Sequence, residues 1–88
     1  MAYDYKTQRV ELFTEDGVKT LTAVRDKAFE LCRLAGAFQA EKAMMGVGGG
    51  STWTMLAVLD YLVENKELVE VTAPDSCWAQ HRIFRRCL

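Results

Sequence analysis

Apolar and polar residues change their spacing several times along this chain. Between Gln8 and Val24, Val10 and Leu12 alternate with polar neighbours, and Val18, Thr20 and Thr22 follow on a two-residue step. The run Glu15-Asp16-Gly17 between them is a turn signal, so this stretch reads as a β-hairpin. A second reading ends the strand near Thr14 and begins a helix around Val18. Residues before Gln8 read as a loose end.

From Thr22 the period lengthens. Val24, Ala28, Leu31 and Ala35 follow three- and four-residue steps, with Leu34 and Phe38 beside them, which predicts a helix from about Thr22 to Ala35. Thr22 is its expected N-cap, because a hydroxyl there can accept an amide proton that the first turn leaves free. Gly36 is the expected stop, since glycine takes the left-handed conformation that closes a helix. The stretch from Ala37 to Gly46 predicts a short second helix, with Phe38, Ala40, Ala43 and Met44 inward and Gln39, Glu41 and Lys42 outward.

Ser51 or Thr52 can cap a third helix that carries Trp53, Leu56, Leu59, Leu62 and Val63 at helical spacing. Met55, Val58 and Tyr61 widen this stripe until little polar surface is left. Such a helix is packed on more than one side, in the core or in a subunit contact. Leu68 to Thr72 reads as a strand, Ala73 to Ser76 as a turn around the only proline, and Trp78 to Arg86 as a returning strand. No repeat or linker divides the chain, so one domain spanning residues 1–88 is expected.

Composition narrows the class. The chain has 88 residues, 50% apolar and 26% charged, which suits a small globular domain with one modest core. The run from Trp53 to Val63 contains Asp60 and is shorter than the roughly 20 apolar residues of a membrane span. The start, MAYDYKTQRVELF, lacks the basic-then-apolar layout of a secretory signal. A cytoplasmic location without membrane partners is the expectation. The odd cysteine count (Cys32, Cys77, Cys87) argues against a disulfide-stapled scaffold. Cys77, His81 and Cys87 lack the tight pairs of a structural zinc site, so neither metal nor cofactor is expected.

The glycine run Gly46-Val47-Gly48-Gly49-Gly50-Ser51-Thr52 has three readings. A phosphate-binding P-loop needs a lysine before its last Ser/Thr, and glycine stands there. The dinucleotide fingerprint fails as well, because its third glycine would fall on Ser51 and no strand leads in. An inter-domain linker is disfavoured, since neither flank could bury a core alone. A turn between helices remains.

The order of predicted elements now resembles the winged helix-turn-helix superfamily, over roughly Thr22 to Arg86. The residues that carry the resemblance are AEKAMMGVGGGSTWTMLAVLDYLVENKELVEVT. Gly46-Val47 stands for the turn, Ser51-Thr52 for the start of the recognition helix, and Leu59, Leu62 and Leu68-Val69 for the pattern leading into the first wing strand. The resemblance implies an α+β fold of three helices with an N-terminal strand or hairpin and a C-terminal two-stranded wing. Two features depart from it. The turn is longer than usual, and Ser51 to Met55 holds none of the Arg, Lys, Asn or Gln residues that read base edges.

Charge sets two functional expectations side by side. The net charge is −1, with four carboxylates between Asp60 and Glu70 against Lys66 alone, and no acid after Asp75. A DNA-binding regulator would present Ser51, Thr52 and Thr54 to duplex DNA, Lys42 near the backbone, and Arg82, Arg85 and Arg86 from the wing. Arg82 and Arg85 face opposite sides of an ideal strand, so only part of the trio can address one surface. The alternative is a protein-interaction or assembly module, including a homodimer, in which Trp53, Trp78, Tyr61 and Phe84 either dock a partner or fill the core. An enzyme is not expected: the lone His81 has no acid/base constellation around it.

Overall fold

The segment with the hairpin pattern is helical. The computed structural model describes residues 3–47, 51–72 and 81–87. Its elements are α1 (Tyr5–Gln8), a 3-10 turn (Arg9–Phe13), α2 (Glu15–Ala35), β1 (Ala37–Gln39), α3 (Ala40–Met44), α4 (Thr52–Glu64), β2 (Leu68–Glu70) and β3 (Ile83–Arg86). This is an α+β architecture, mostly helical, with one small antiparallel sheet.

Two expectations fail at the same place and for the same reason. Glu15-Asp16-Gly17 is the first turn of α2, not a hairpin turn. Thr14, in extended conformation, accepts the Gly17 N–H on its side chain at 3.0 Å and is the N-cap in place of Thr22. Glu15 and Asp16 then sit where carboxylates complement the positive end of the helix dipole. The buried stripe of α2 accordingly extends backward, through Gly17, Thr20, Val24, Ala28 and Cys32. Gly36 closes the helix at φ +84°, as its position implies.

The stretch expected to be a second helix begins with a strand. Phe38 is buried between exposed Ala37 and Gln39. It pairs with Phe84 across the sheet, their rings stacked with centroids 5.8 Å apart. The sheet order is β1-β3-β2, so the last strand is central. β2 ends at Glu70, two residues short of Thr72, although the Val71 N–H still reaches the Ile83 carbonyl at 2.7 Å. The turn expected at residues 73–76, and the start of the strand expected from Trp78, lie outside the described residues.

Ser51 caps α4, and its hydroxyl accepts the Thr54 N–H. The helix closes through Lys66 at φ +62°, with the Lys66 N–H on the Val63 carbonyl and the Glu67 N–H on the Leu62 carbonyl. These two bonds satisfy carbonyls that a helix end otherwise leaves free. Leu12, Val24, Ala28, Leu56, Leu59, Leu62, Leu68 and Phe84 form the core between α2, α4 and the sheet.

Candidate functional site

The start of α4 holds the three hydroxyl residues that the sequence offers to a partner. The Ser51 and Thr54 hydroxyls lie 3.0 Å apart, so the cap engages two of the three with each other, and Thr52 is exposed beside them. Thr54 borders a shallow hollow of about 80 Å³ with Glu11, Thr14, Asp16 and Thr20. Among the described residues, the charged side chains lining this hollow are the carboxylates of Glu11 and Asp16.

Past its first turn α4 has no open face: every residue from Trp53 to Val63 is buried or half-buried. α2 packs along it, and the sheet and α3 cover further sides. The N-terminal segment lies across the remainder. It is pinned by the Tyr3 hydroxyl, which donates to Asp60 at 2.6 Å, by an Arg9–Glu64 ion pair at 3.0 Å, and by Phe13, whose ring meets Tyr61 edge-on at 5.6 Å.

Arg82 occupies the end of that enclosure. Its guanidinium donates to Glu70 through Nε and Nη2 at 2.9 and 2.8 Å, and also to Asp60, which accepts from Tyr3 as well. Thr72 adds a hydroxyl donor to Glu70 at 2.7 Å. Burial pulls the Arg82 pKa down, but the bonds to Glu70 and Asp60 outweigh it and hold the group firmly charged. Arg82 in turn holds the Glu70 carboxyl below its ordinary range, while burial and then Asp60 push the Tyr3 hydroxyl far up. The arginine expected to meet a phosphate is therefore committed inside the protein, with its side chain only 17% exposed.

Arg85 and Arg86 lie elsewhere. Both are exposed, and with Arg33 they rim an open cavity of about 580 Å³ whose other lining residues include Phe29, Cys32 and Gly36. The Arg86 guanidinium stacks 4.0 Å over the Phe29 ring, and Arg85 Nη1 donates to the Arg86 carbonyl at 3.2 Å. Among the described residues, none of the three arginines has a carboxylate partner. Lys42 is exposed on α3 and is likewise unpaired among the described residues.

The seven candidate residues thus do not converge. Thr54 stands beside Thr20 and Arg86 beside Phe29, nine residues apart on α2, or about 14 Å along its axis. The carboxylates that capture Arg82 leave no local mark in the sequence, because Asp60 and Glu70 come from different elements. The arginine-rimmed cavity is equally hidden, since Arg33 is 52 residues from Arg85 and only the fold joins them.

Cys32 is buried, and burial raises its thiol pKa; Cys87 and His81 are exposed, and Cys77 lies outside the described residues. Among the described residues, no group of three or more His, Cys, Asp or Glu side chains could hold a metal ion, and no helix is long and apolar enough to cross a membrane. No protein-family model matches the chain, and no curated protein or solved structure matches it significantly.

Proposed function

We propose that this chain is a winged-helix-type protein-interaction or assembly module and not a reader of DNA sequence. The architecture is supported by the succession of short helix, longer helix and paired strands that the resemblance implies. The functional choice rests on one observation, the enclosure of α4. A helix that reads a major groove needs a free face to enter it, and α4 is covered from Trp53 to Val63. Two of the three hydroxyls at its start, Ser51 and Thr54, are already engaged in a cap, with Thr54 beside Glu11 and Asp16. Phosphates are repelled by such a neighbourhood.

Arg85 and Arg86 remain exposed cations, yet they line the cavity beside Phe29 and Arg33, away from Thr54 at the α4 start. Fluorescence anisotropy with a labelled 20-base-pair duplex tests the proposal. At about 50 mM salt, no saturable binding is expected below about 100 µM protein, the weak end of non-specific association. Binding near 1 µM or tighter that falls steeply with added salt would restore the DNA-binding reading and overturn this one.

A further inference from the structure

The geometry points to a second copy of this chain as a partner, docked head to tail. This inference rests on the interaction-module reading and names its occupant. α2 has 21 residues and, at 1.5 Å per residue, runs about 30 Å. The longest extent of the molecule is 30 Å, so the two ends of α2 mark opposite poles.

One pole is acidic and apolar. Phe13 is 54% exposed and Val10 64%, three residues apart on a 3-10 turn and therefore on one face. Exposed Glu11, Glu15 and Asp16 flank them, and none has an ion-pair partner among the described residues. The other pole is basic and concave. Its cavity of about 580 Å³ has room for an aromatic side chain, and Arg33, Arg85 and Arg86 outnumber the single acid of its lining, Glu30.

The helix dipole accounts for Glu15 and Asp16 at one end and Arg33 at the other. It does not account for Arg85 and Arg86, which arrive from β3, nor for a phenylalanine that stays more than half exposed beside acids although one edge meets Tyr61 and the Arg9 guanidinium lies over its ring. Self-docking accounts for both. Phe13 of one copy enters the cavity of the next, while its flanking carboxylates meet guanidinium groups whose planar donors suit them. Because donor and acceptor surfaces differ, the contact is heterologous and leaves a free pole at each end of the assembly. One aromatic anchor with a few exposed ion pairs makes a small interface, so the association is weak and salt-sensitive.

Sedimentation velocity tests the inference on the full chain, under reducing conditions because Cys87 is an exposed thiol. At low salt the average mass is expected to rise with concentration beyond a dimer, and to return to monomer at about 0.5 M salt, where screening is strong. Two neutralising variants separate the poles: Arg85→Gln with Arg86→Gln, and Glu15→Gln with Asp16→Asn. Each alone is expected to stay monomeric, and their equimolar mixture to form a dimer that grows no further, since one intact head meets one intact tail. If the acidic-pole variant does not fold by circular dichroism, Phe13→Ser replaces it.

A wild-type chain that stays monomeric to millimolar concentration overturns self-docking. So does a closed dimer that survives both variants, or a mixture that gives no heterodimer. Monomeric behaviour without duplex binding removes only the second copy as partner. Salt-sensitive duplex binding lost in the Arg85/Arg86 variant removes the interaction-module reading itself.

Discussion

Two tyrosines two residues apart stand in opposite electrostatic situations. The Tyr3 hydroxyl donates to Asp60, whereas the buried Tyr5 hydroxyl has no hydrogen-bond partner among the described residues, its neighbour Arg9 being paired with Glu64. Removing one hydroxyl breaks a bond to a charged acceptor, while removing the other relieves an unsatisfied group. Tyr3→Phe is expected to lower stability by about 1–2 kcal/mol, and Tyr5→Phe to be neutral or to raise it by up to about 1 kcal/mol. Urea denaturation of the two variants beside wild type checks the sign of each. Equal losses would show that Tyr5 has a partner after all.

At the scale of elements, local rules decide where helices begin and end, and two glycine questions show their reach. A Cβ on Gly17 would overlap the Glu11 carbonyl oxygen and stand 2.7 Å from its carbon and 2.9 Å from Leu12 Cα. Alanine is the better helix former by about 1 kcal/mol, yet Gly17→Ala is expected to destabilise by about 1–3 kcal/mol, because the 3-10 turn cannot retreat from α2 without moving the buried Leu12. Lys66 poses the converse case, a non-glycine residue at φ +62° in a helix-closing turn. Lys66→Gly is expected to stabilise by about 0.5–1 kcal/mol, as the left-handed conformation costs glycine nothing sterically. Thermal unfolding followed by circular dichroism should move the two midpoints in opposite directions.

Across the whole molecule, the cluster of Tyr3, Asp60, Glu70 and Arg82 joins the N-terminal segment, α4, β2 and the residue preceding β3. Its charge state ties global stability to acid. Arg82 lowers the folded-state pKa of Glu70 from an ordinary value of 4.5. That contribution is therefore fully present above about pH 4.5–5 and is lost as pH falls through the depressed folded value. Glu70→Gln is expected to cost about 1–2 kcal/mol at pH 7 and progressively less below pH 4, where the wild-type carboxyl also takes up a proton. Denaturation midpoints at several pH values measure this convergence. Parallel curves for variant and wild type down to pH 2.5 would place the linkage elsewhere.

Much of the element inventory was legible because helix spacing, caps and closing glycines are local signals. The start of α4 at Ser51 or Thr52, the Gly36 stop and the apolar breadth of the Trp53–Val63 run all follow from neighbours within about four residues. The pattern misled at residues 8–24, where alternation of two apolar residues outweighed the stronger cue of Thr14 capping Gly17. The short strand at Phe38 was hidden for another reason: three residues carry no period, and only the partner Phe84 makes them a strand. The site was less legible than the fold. From the sequence alone, strand alternation sets Arg82 and Arg85 on opposite sides, but it does not say which of Arg82, Arg85 and Arg86 is enclosed. Tertiary structure separates them, enclosing Arg82 between two carboxylates and leaving the other two beside Arg33 at the far end of α2. A charge's role depends on what lies within a few ångströms of it, and for residues joined across 12 to 52 positions of chain that distance is set by packing.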